Sequence, residues 1–393
     1  MGRDLSLDEP LEVRFVHRLR FTQAAFRPDN TVLRDVVGAK EDRPSRLLFF
    51  LDSSLGQTRS SLRTEIETYV AAHHSHLTMA GPIHFIAGGE RCKNDLREYR
   101  RVLRAIHDAG LCRHSYVVVI GGGAVLDAVG FAAATAHRGV RLIRFPTTTL
   151  SQADSGVGVK NGVNFFNKKN YMGVFTPPWA VINNEDFLTS LSDRDWRCGF
   201  AEAVKVFLIK NQEFFYQLAD EAWRIRHREM EPSRRALRRS AELHLRHIVS
   251  GGDPYELTEA RPLDFGHWSA HKLEQITNFR LRHGEAVAIG VALDTLYSSL
   301  VLGLDPAEAE VVLDCLSDLG FELYDEALAD TERLQQGLEE FREHLGGRLT
   351  VTMLAGIGNP VNVHEIDFDA VSSALDQLYN RSTLGARRLS LGS

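Results

Sequence analysis

Short apolar runs alternate with amphipathic stretches through the first half of the chain. Arg46–Leu51 (RLLFFL), Ile83–Ala87, Tyr116–Ile120 (YVVVI) and Val140–Phe145 read as strands. Between them Thr58–Ala72, Lys93–Ala109 and Val125–Ala136 read as helices. In the second of these Leu96, Val102, Leu103 and Ile106 supply the apolar positions. Such alternation predicts a parallel sheet with crossover helices. After Pro146 the texture changes. Residues 151–178 are rich in Gly, Asn and Lys and predict loops and short hairpins. From about Asp186 helical patterns prevail: Arg194–Lys210, Pro232–Ser250, His267–Asn278, Glu285–Leu302 and Pro306–Leu319. An apolar strand at Leu349–Leu354 and a last helix near Phe368–Tyr379 follow, and the polar tail from Arg381 is expected to be loose. The pattern predicts two domains, an α/β unit over residues 1–185 and a mainly α-helical unit over residues 186–393.

Composition narrows the function classes. A net charge of −6 and a pI near 6.3 argue against a nucleic-acid partner, which wants a basic excess. Cys92, Cys112, Cys198 and Cys315 are scattered with no CxxC pair, which fits a reduced, cytoplasmic setting. The N-terminus has no apolar run of signal-peptide length, and its GRDLSL start meets a myristoylation pattern only loosely. No uninterrupted apolar run is long enough to predict a membrane span.

Three places carry candidate chemistry. The YVVVI strand runs into Gly121-Gly122-Gly123 and then a helix. Glycines let a backbone approach a pyrophosphate, and helix N-terminal amides favour the anion. An ordinary tight turn would use the same residues. Asp52, ending the first strand, could hold a ribose or simply end its strand. Glu202 and Lys205 lie three apart among apolar neighbours, which points to a charged pair inside a site. His267 and His271 are four apart on one helix face, and His283 precedes another helix. One carboxylate with two of these imidazoles makes a three-ligand metal site with open positions.

Taken in order, the segments GGGAVLDAVGFAAATAHRG, FPTTTLSQADSGVGVKNGVN, KKNYMGVF, GFAEAVK, DFGHWSAH and HGEAVAIG resemble the 3-dehydroquinate synthase (sugar phosphate cyclase) family. The resemblance runs from about Arg46 to Gly358. It implies a Rossmann-like NAD-binding domain, a helical metal- and substrate-binding domain, and a cleft holding NAD and one divalent metal, zinc or cobalt. The implied metal ligands are Glu202, His267 and His283. The implied NAD contacts are Asp52, Glu90, Lys93, Gly121, Gly122, Gly123, Asp127, Thr147, Thr148, Asp154 and Lys169. Substrate would fall to Lys160, Asn170, Lys205, His271 and Asp154, beside Asp264. Arg138 would reach a neighbouring subunit's site, since family members are homodimers. The implied reaction oxidises one alcohol of a phosphorylated sugar transiently. Phosphate then leaves by elimination, the ketone is reduced again, and an intramolecular aldol addition closes the ring.

Some positions depart from the dehydroquinate synthase pattern. Asp264 stands where that pattern has Asn. Ala260, followed by Arg261 and Pro262, replaces an Arg. Arg246 replaces a Lys, and Glu343-His344-Leu345-Gly346-Gly347 replaces a late lysine pair. Fewer cations make a second substrate anion less welcome. The chain therefore resembles a valiolone-synthase-like or EboD-like branch more closely, with sedoheptulose 7-phosphate as the expected substrate. His271, where the 2-epi-5-epi-valiolone branch typically has Pro, separates it from that branch. The alternatives are 3-dehydroquinate synthase itself, a glycerol-type metal-dependent dehydrogenase, and a non-catalytic nucleotide-binding relative.

Overall fold

The computed structural model describes residues 7–38, 43–166, 168–251, 254–255 and 263–390. Its first half contains β1 (Leu19–Thr22), β2 (Ser45–Asp52), β3 (Leu77–Met79), β4 (His84–Ile86), β5 (Tyr116–Gly121), β6 (Arg141–Pro146), β7 (Lys160–Phe165), β8 (Lys168–Phe175) and β9 (Ala180–Asn184). Among the described residues seven of these form one parallel sheet, ordered β1-β9-β6-β5-β2, with β3 and β4 sharing the far edge of β2. β7 and β8 make a separate antiparallel hairpin. Both faces of the sheet are buried at its centre, so β2 and β5 carry the apolar runs Leu47–Leu51 and Tyr116–Ile120. Tyr116, Val118 and Ile120 pack into one face while Val117 and Val119 pack into the other, the period-two alternation of a strand.

The second half packs around the Asp193–Lys210 and His283–Val301 helices. The latter is long and apolar enough to cross a membrane by length and composition, a feature the sequence reading did not anticipate. In the structure 78% of its apolar window is buried as the central core helix. A two-stranded antiparallel sheet, β10 (Val351–Gly356) with β11 (Asn359–Val363), closes this half.

Several elements differ from the sequence reading. The helix expected over Thr58–Ala72 is two helices, Ser53–Thr58 and Leu62–Ala72, because Arg59, at φ −128° and ψ 68°, leaves helical geometry. The helix expected over Lys93–Ala109 breaks at Asp95, whose carboxylate accepts from the Arg97 amide at 2.9 Å and starts Leu96–Asp108 as its N-cap. The tail from Arg381 is helical, part of Phe368–Ser390, and the Arg381 guanidinium meets Glu310 and Asp314. The strand β1 and the helices Val32–Val37, Gln212–Arg226 and Thr331–His344 were not foreseen. β1 is a four-residue edge strand defined by pairing with β9, a partner no local pattern indicates.

Candidate active site

Three chain segments converge on Glu202. Its helix is wrapped by core on nearly every side, so the carboxylate is fully buried. His283 Nε2 lies 3.1 Å and His267 Nε2 3.5 Å from Glu202 Oε1. Donors about 2.1 Å from one tetrahedral ion stand about 3.4 Å apart, so the spacing suits a shared cation. Lys205 Nζ is 2.5 Å from Glu202 Oε2, yet that oxygen has no well-directed hydrogen bond. The His283 side chain keeps 30% of its surface exposed, which leaves the cluster an open side. The donor set, its spacing and the ill-served buried oxygen all fit a divalent metal.

Each imidazole is oriented from behind. His267 Nδ1 lies 3.2 Å from the Phe265 carbonyl, and His283 Nδ1 lies 3.2 Å from Glu274 Oε2. Those partners hold Nδ1 as the protonated nitrogen and turn Nε2 toward Glu202. The turn ahead of His267 depends on Gly266, whose φ is +76°; a Cβ there would lie 2.6 Å from the Val291 amide nitrogen. Asp294, wholly buried, accepts from the Gly266 amide at 2.8 Å and from Trp268 Nε1 at 2.9 Å. Sequence reasoning missed Glu274 and Asp294. For Asp294 the signal was an acid at a core position of an apolar helix; for Glu274 the local pattern carried none.

Charge is tightly balanced here. Burial would push the Glu202 carboxyl up, but the Lys205 ammonium and the imidazoles hold it well below the usual range. Burial opposes the Lys205 charge, yet Glu202 and Asp154 keep it protonated. In the metal-free chain loss of hydration opposes the His283 charge, and hydrogen bonds to Glu202 and Glu274 carry it up to about 10; an ion on Nε2 would take the place of that proton. Partial loss of hydration inside the cluster and the neighbouring His267 and His283 lower the His271 imidazole below its usual range. Its ring centroid is 5.4 Å from His267 and 6.0 Å from His283, and its side chain opens to solvent. The Asp264 carboxylate contributes a weak favourable field at Lys205 and His271.

The glycine loop faces the same region. The Gly123–Thr135 helix begins at Gly122 with no side-chain cap. A Cβ at Gly123 would lie 2.8 Å from Ser155 Oγ, and one at Gly122 would lie 3.3 Å from Thr148. The loop thus lies directly against the Thr147–Ser155 segment, with free helix amides for a pyrophosphate. Thr147 is buried and its amide donates to the Gly121 carbonyl at 3.1 Å. Asp52 caps the Ser53–Thr58 helix through the Ser54 amide at 2.8 Å, and its carboxylate would lie 2.7 Å from a Cβ at Gly88. Lys93 is buried, 2.8 Å from Asp127, and also donates to Asn170 Oδ1. Glu90 accepts from Asn164 at 2.7 Å.

Asp154, in a turn after β6, pairs with His244 Nδ1 at 2.6 Å, a partner the sequence did not reveal. The hairpin β7–β8 joins the halves: Asn170 meets Lys93 beside the glycine helix, and Lys169 Nζ lies 2.9 Å from Glu274 behind His283. Buried Arg144 of β6 anchors the hairpin's base by donating to the Gly156, Gly158 and Lys160 carbonyls at 3.0, 2.7 and 2.9 Å.

Residues 83–198 match the family described as 3-dehydroquinate synthase N-terminal, and residues 199–341 match 3-dehydroquinate synthase C-terminal. The chain is 32% identical to the 2-epi-5-epi-valiolone synthase of Streptomyces glaucescens, over 92% of this chain and 91% of that one. The chain belongs to the 3-dehydroquinate synthase family. It is also 33% identical to the 3-dehydroquinate synthase of Aeropyrum pernix, over 89% of this chain and 95% of that one. The 2-epi-5-epi-valiolone synthase ValA of Streptomyces hygroscopicus, solved with NAD+ and Zn2+ bound, superposes with a TM-score of 0.84 at 26% identity. That match covers 96% of this chain and 100% of that one.

Not every family position gathers at the cluster. Arg138 is an exposed residue with a φ of +61°, and no described contact ties it to the other site residues. Lys160 is exposed at the start of β7. Arg246 points away and pairs with Glu242 at 2.6 Å, while His244 on the same helix reaches Asp154. Ala260, Arg261 and Pro262 lie outside the described residues, as does the GRDLSL start except for its last residue, Leu7.

Proposed function

We propose that the chain is an NAD- and divalent-metal-dependent sugar phosphate cyclase. As a carbon–oxygen lyase it expels phosphate from a phosphorylated ketose and closes a C7 cyclitol. The observation that carries this is the convergence of Glu202, His267 and His283, with both imidazoles aimed by acceptors at Nδ1. Bound NAD supplies a reversible hydride acceptor, and bound zinc or cobalt supplies Lewis acidity toward the substrate's alcohol oxygen. Gly121–Gly123 and the uncapped helix receive the pyrophosphate, with Asp127, Thr147 and Thr148 alongside and Asp52, Glu90 and Lys93 toward the adenosine. Lys205 stays charged between Glu202 and Asp154, so it donates hydrogen bonds to substrate oxygens and does not act as a base. His271 lies with its ring beside His267 and His283, where it meets a substrate hydroxyl. Lys160, Asn170 and Lys169 on the hairpin complete the phosphate and cofactor contacts.

Sedoheptulose 7-phosphate is the proposed substrate. Asp264 precedes the ligand His267, whose amide donates to its carbonyl at 2.9 Å, and a carboxylate carried there makes a second substrate anion less welcome. The 33% identity to a 3-dehydroquinate synthase supports a second reading, the same reaction on a carboxylated heptulosonate 7-phosphate. We place the domain boundary at residues 185/186, and the working form as a cytoplasmic homodimer with Arg138 turned toward the partner's site.

Purified protein with NAD and Zn2+ or Co2+ is offered each sugar phosphate in turn, and product is followed by NMR. Phosphate release with cyclitol formation from sedoheptulose 7-phosphate, without net NADH, is the expected result. Turnover of the carboxylated sugar alone would favour the second reading. Stoichiometric NADH without phosphate release would replace both with a dehydrogenase.

A further inference from the structure

We propose that Glu274 is the positioning residue for the metal ligand His283, and that it sets how tightly the ion is held. This rests on the metal reading of Glu202, His267 and His283. Glu274 sits on the His267–Ile276 helix, buried to 4% exposure, with Oε2 at 3.2 Å from His283 Nδ1. Its other oxygen is 2.9 Å from Lys169 Nζ, which arrives from the β7–β8 hairpin and also lies 4.6 Å above the Phe279 ring. Lys169 and His283 thus fix both oxygens, and the carboxylate has one geometry available to it.

A carboxylate behind an imidazole does two things. It holds the proton on Nδ1, which leaves the Nε2 lone pair for the ion. It also makes that lone pair more basic. The run from Lys169 through Glu274, His283 and Glu202 to Lys205 alternates in charge capacity, so each group is steadied by the next.

Glu274 has a competing role. His271, Glu274 and His283 also place ligand atoms within 4.8 Å of one another, the outline of a second cation site. Both Glu274 oxygens are already engaged, one by Lys169 and the other by His283. A second cation on Glu274 would sit beside the Lys169 ammonium and would have to displace the His283 contact. Glu274 therefore supports one ion and does not bind another.

The test is zinc affinity of the full chain, by competition with a chromophoric chelator, with the visible spectrum of the Co2+-loaded protein beside it. Glu274→Gln keeps the shape and one acceptor but removes the charge. Glu274→Leu removes both. Zinc dissociation constants are expected to weaken by about 10-fold for Gln and about 100-fold for Leu, with an altered cobalt spectrum. Far-UV circular dichroism matching wild type serves as evidence of fold, and wild type should load one zinc per chain. Zinc affinity within twofold of wild type in both variants, or two zinc ions per chain, overturns the proposal. His283→Ala and Glu202→Ala keep the two readings apart. If these also retain zinc, the metal reading itself is wrong; if only the Glu274 variants retain it, the positioning role is wrong.

Discussion

Removing the Glu202 carboxylate separates two roles held by one residue. Glu202→Ala leaves the Lys205 ammonium, 3% exposed, without its partner at 2.5 Å. Breaking a buried ion pair from one side costs about 3–5 kcal/mol. Asp154 still faces Lys205, which places the loss near the lower end, about 3 kcal/mol. In a unit of about 200 residues that corresponds to about 6–12 °C in Tm. The variant also loses the only carboxylate of the three-ligand set. Adding Lys205→Met removes the stranded charge and fills the space with an apolar chain, so most of the lost Tm should return. Zinc binding should not return, because the ligand is still missing. The assay is thermal unfolding of the metal-free single and double variants, followed by zinc titration. A Glu202→Ala protein as stable as wild type would refute the energetic role given to the pair. A double variant that binds zinc like wild type would refute the ligand assignment.

Gly266→Ala should destabilise by about 1–2 kcal/mol for the left-handed backbone and about 1–3 kcal/mol for the Cβ driven against Val291. Urea unfolding measures the sum, and weaker zinc binding should accompany it because His267 is the next residue. Asp294 gives a pH signature. Burial lifts its carboxyl from 3.8 to about 7 against the opposing Trp268 and Gly266 hydrogen bonds. The folded chain then keeps a proton the unfolded chain has released, so this contribution to stability declines as pH rises from about 3.8 to about 7. In Asp294→Asn that decline should be missing from a Tm-against-pH series; identical slopes would show that the buried carboxyl does not titrate in this range.

Local pattern was enough to determine much of this protein. The apolar runs in YVVVI and RLLFFL pointed to the sheet, because strands buried on both faces put apolar side chains on each. The three-residue spacing of Glu202 and Lys205 fixed their contact, because helical geometry alone brings i and i+3 together. The glycines after β5 and the four-residue spacing of His267 and His271 were legible for the same reason. Contacts between distant segments were decided only by the tertiary fold. His283 turns back on Glu274 across the bend between two helices, Asp154 finds His244, and Lys169 crosses from the hairpin to the helical half. Arg144 is buried because β6 runs beneath the hairpin, and β1 exists as a strand because β9 lies beside it. Helical and strand periodicities specify which residues share a face. Which faces meet is set by packing of the whole chain, and that is where the orientation of the metal ligands is decided.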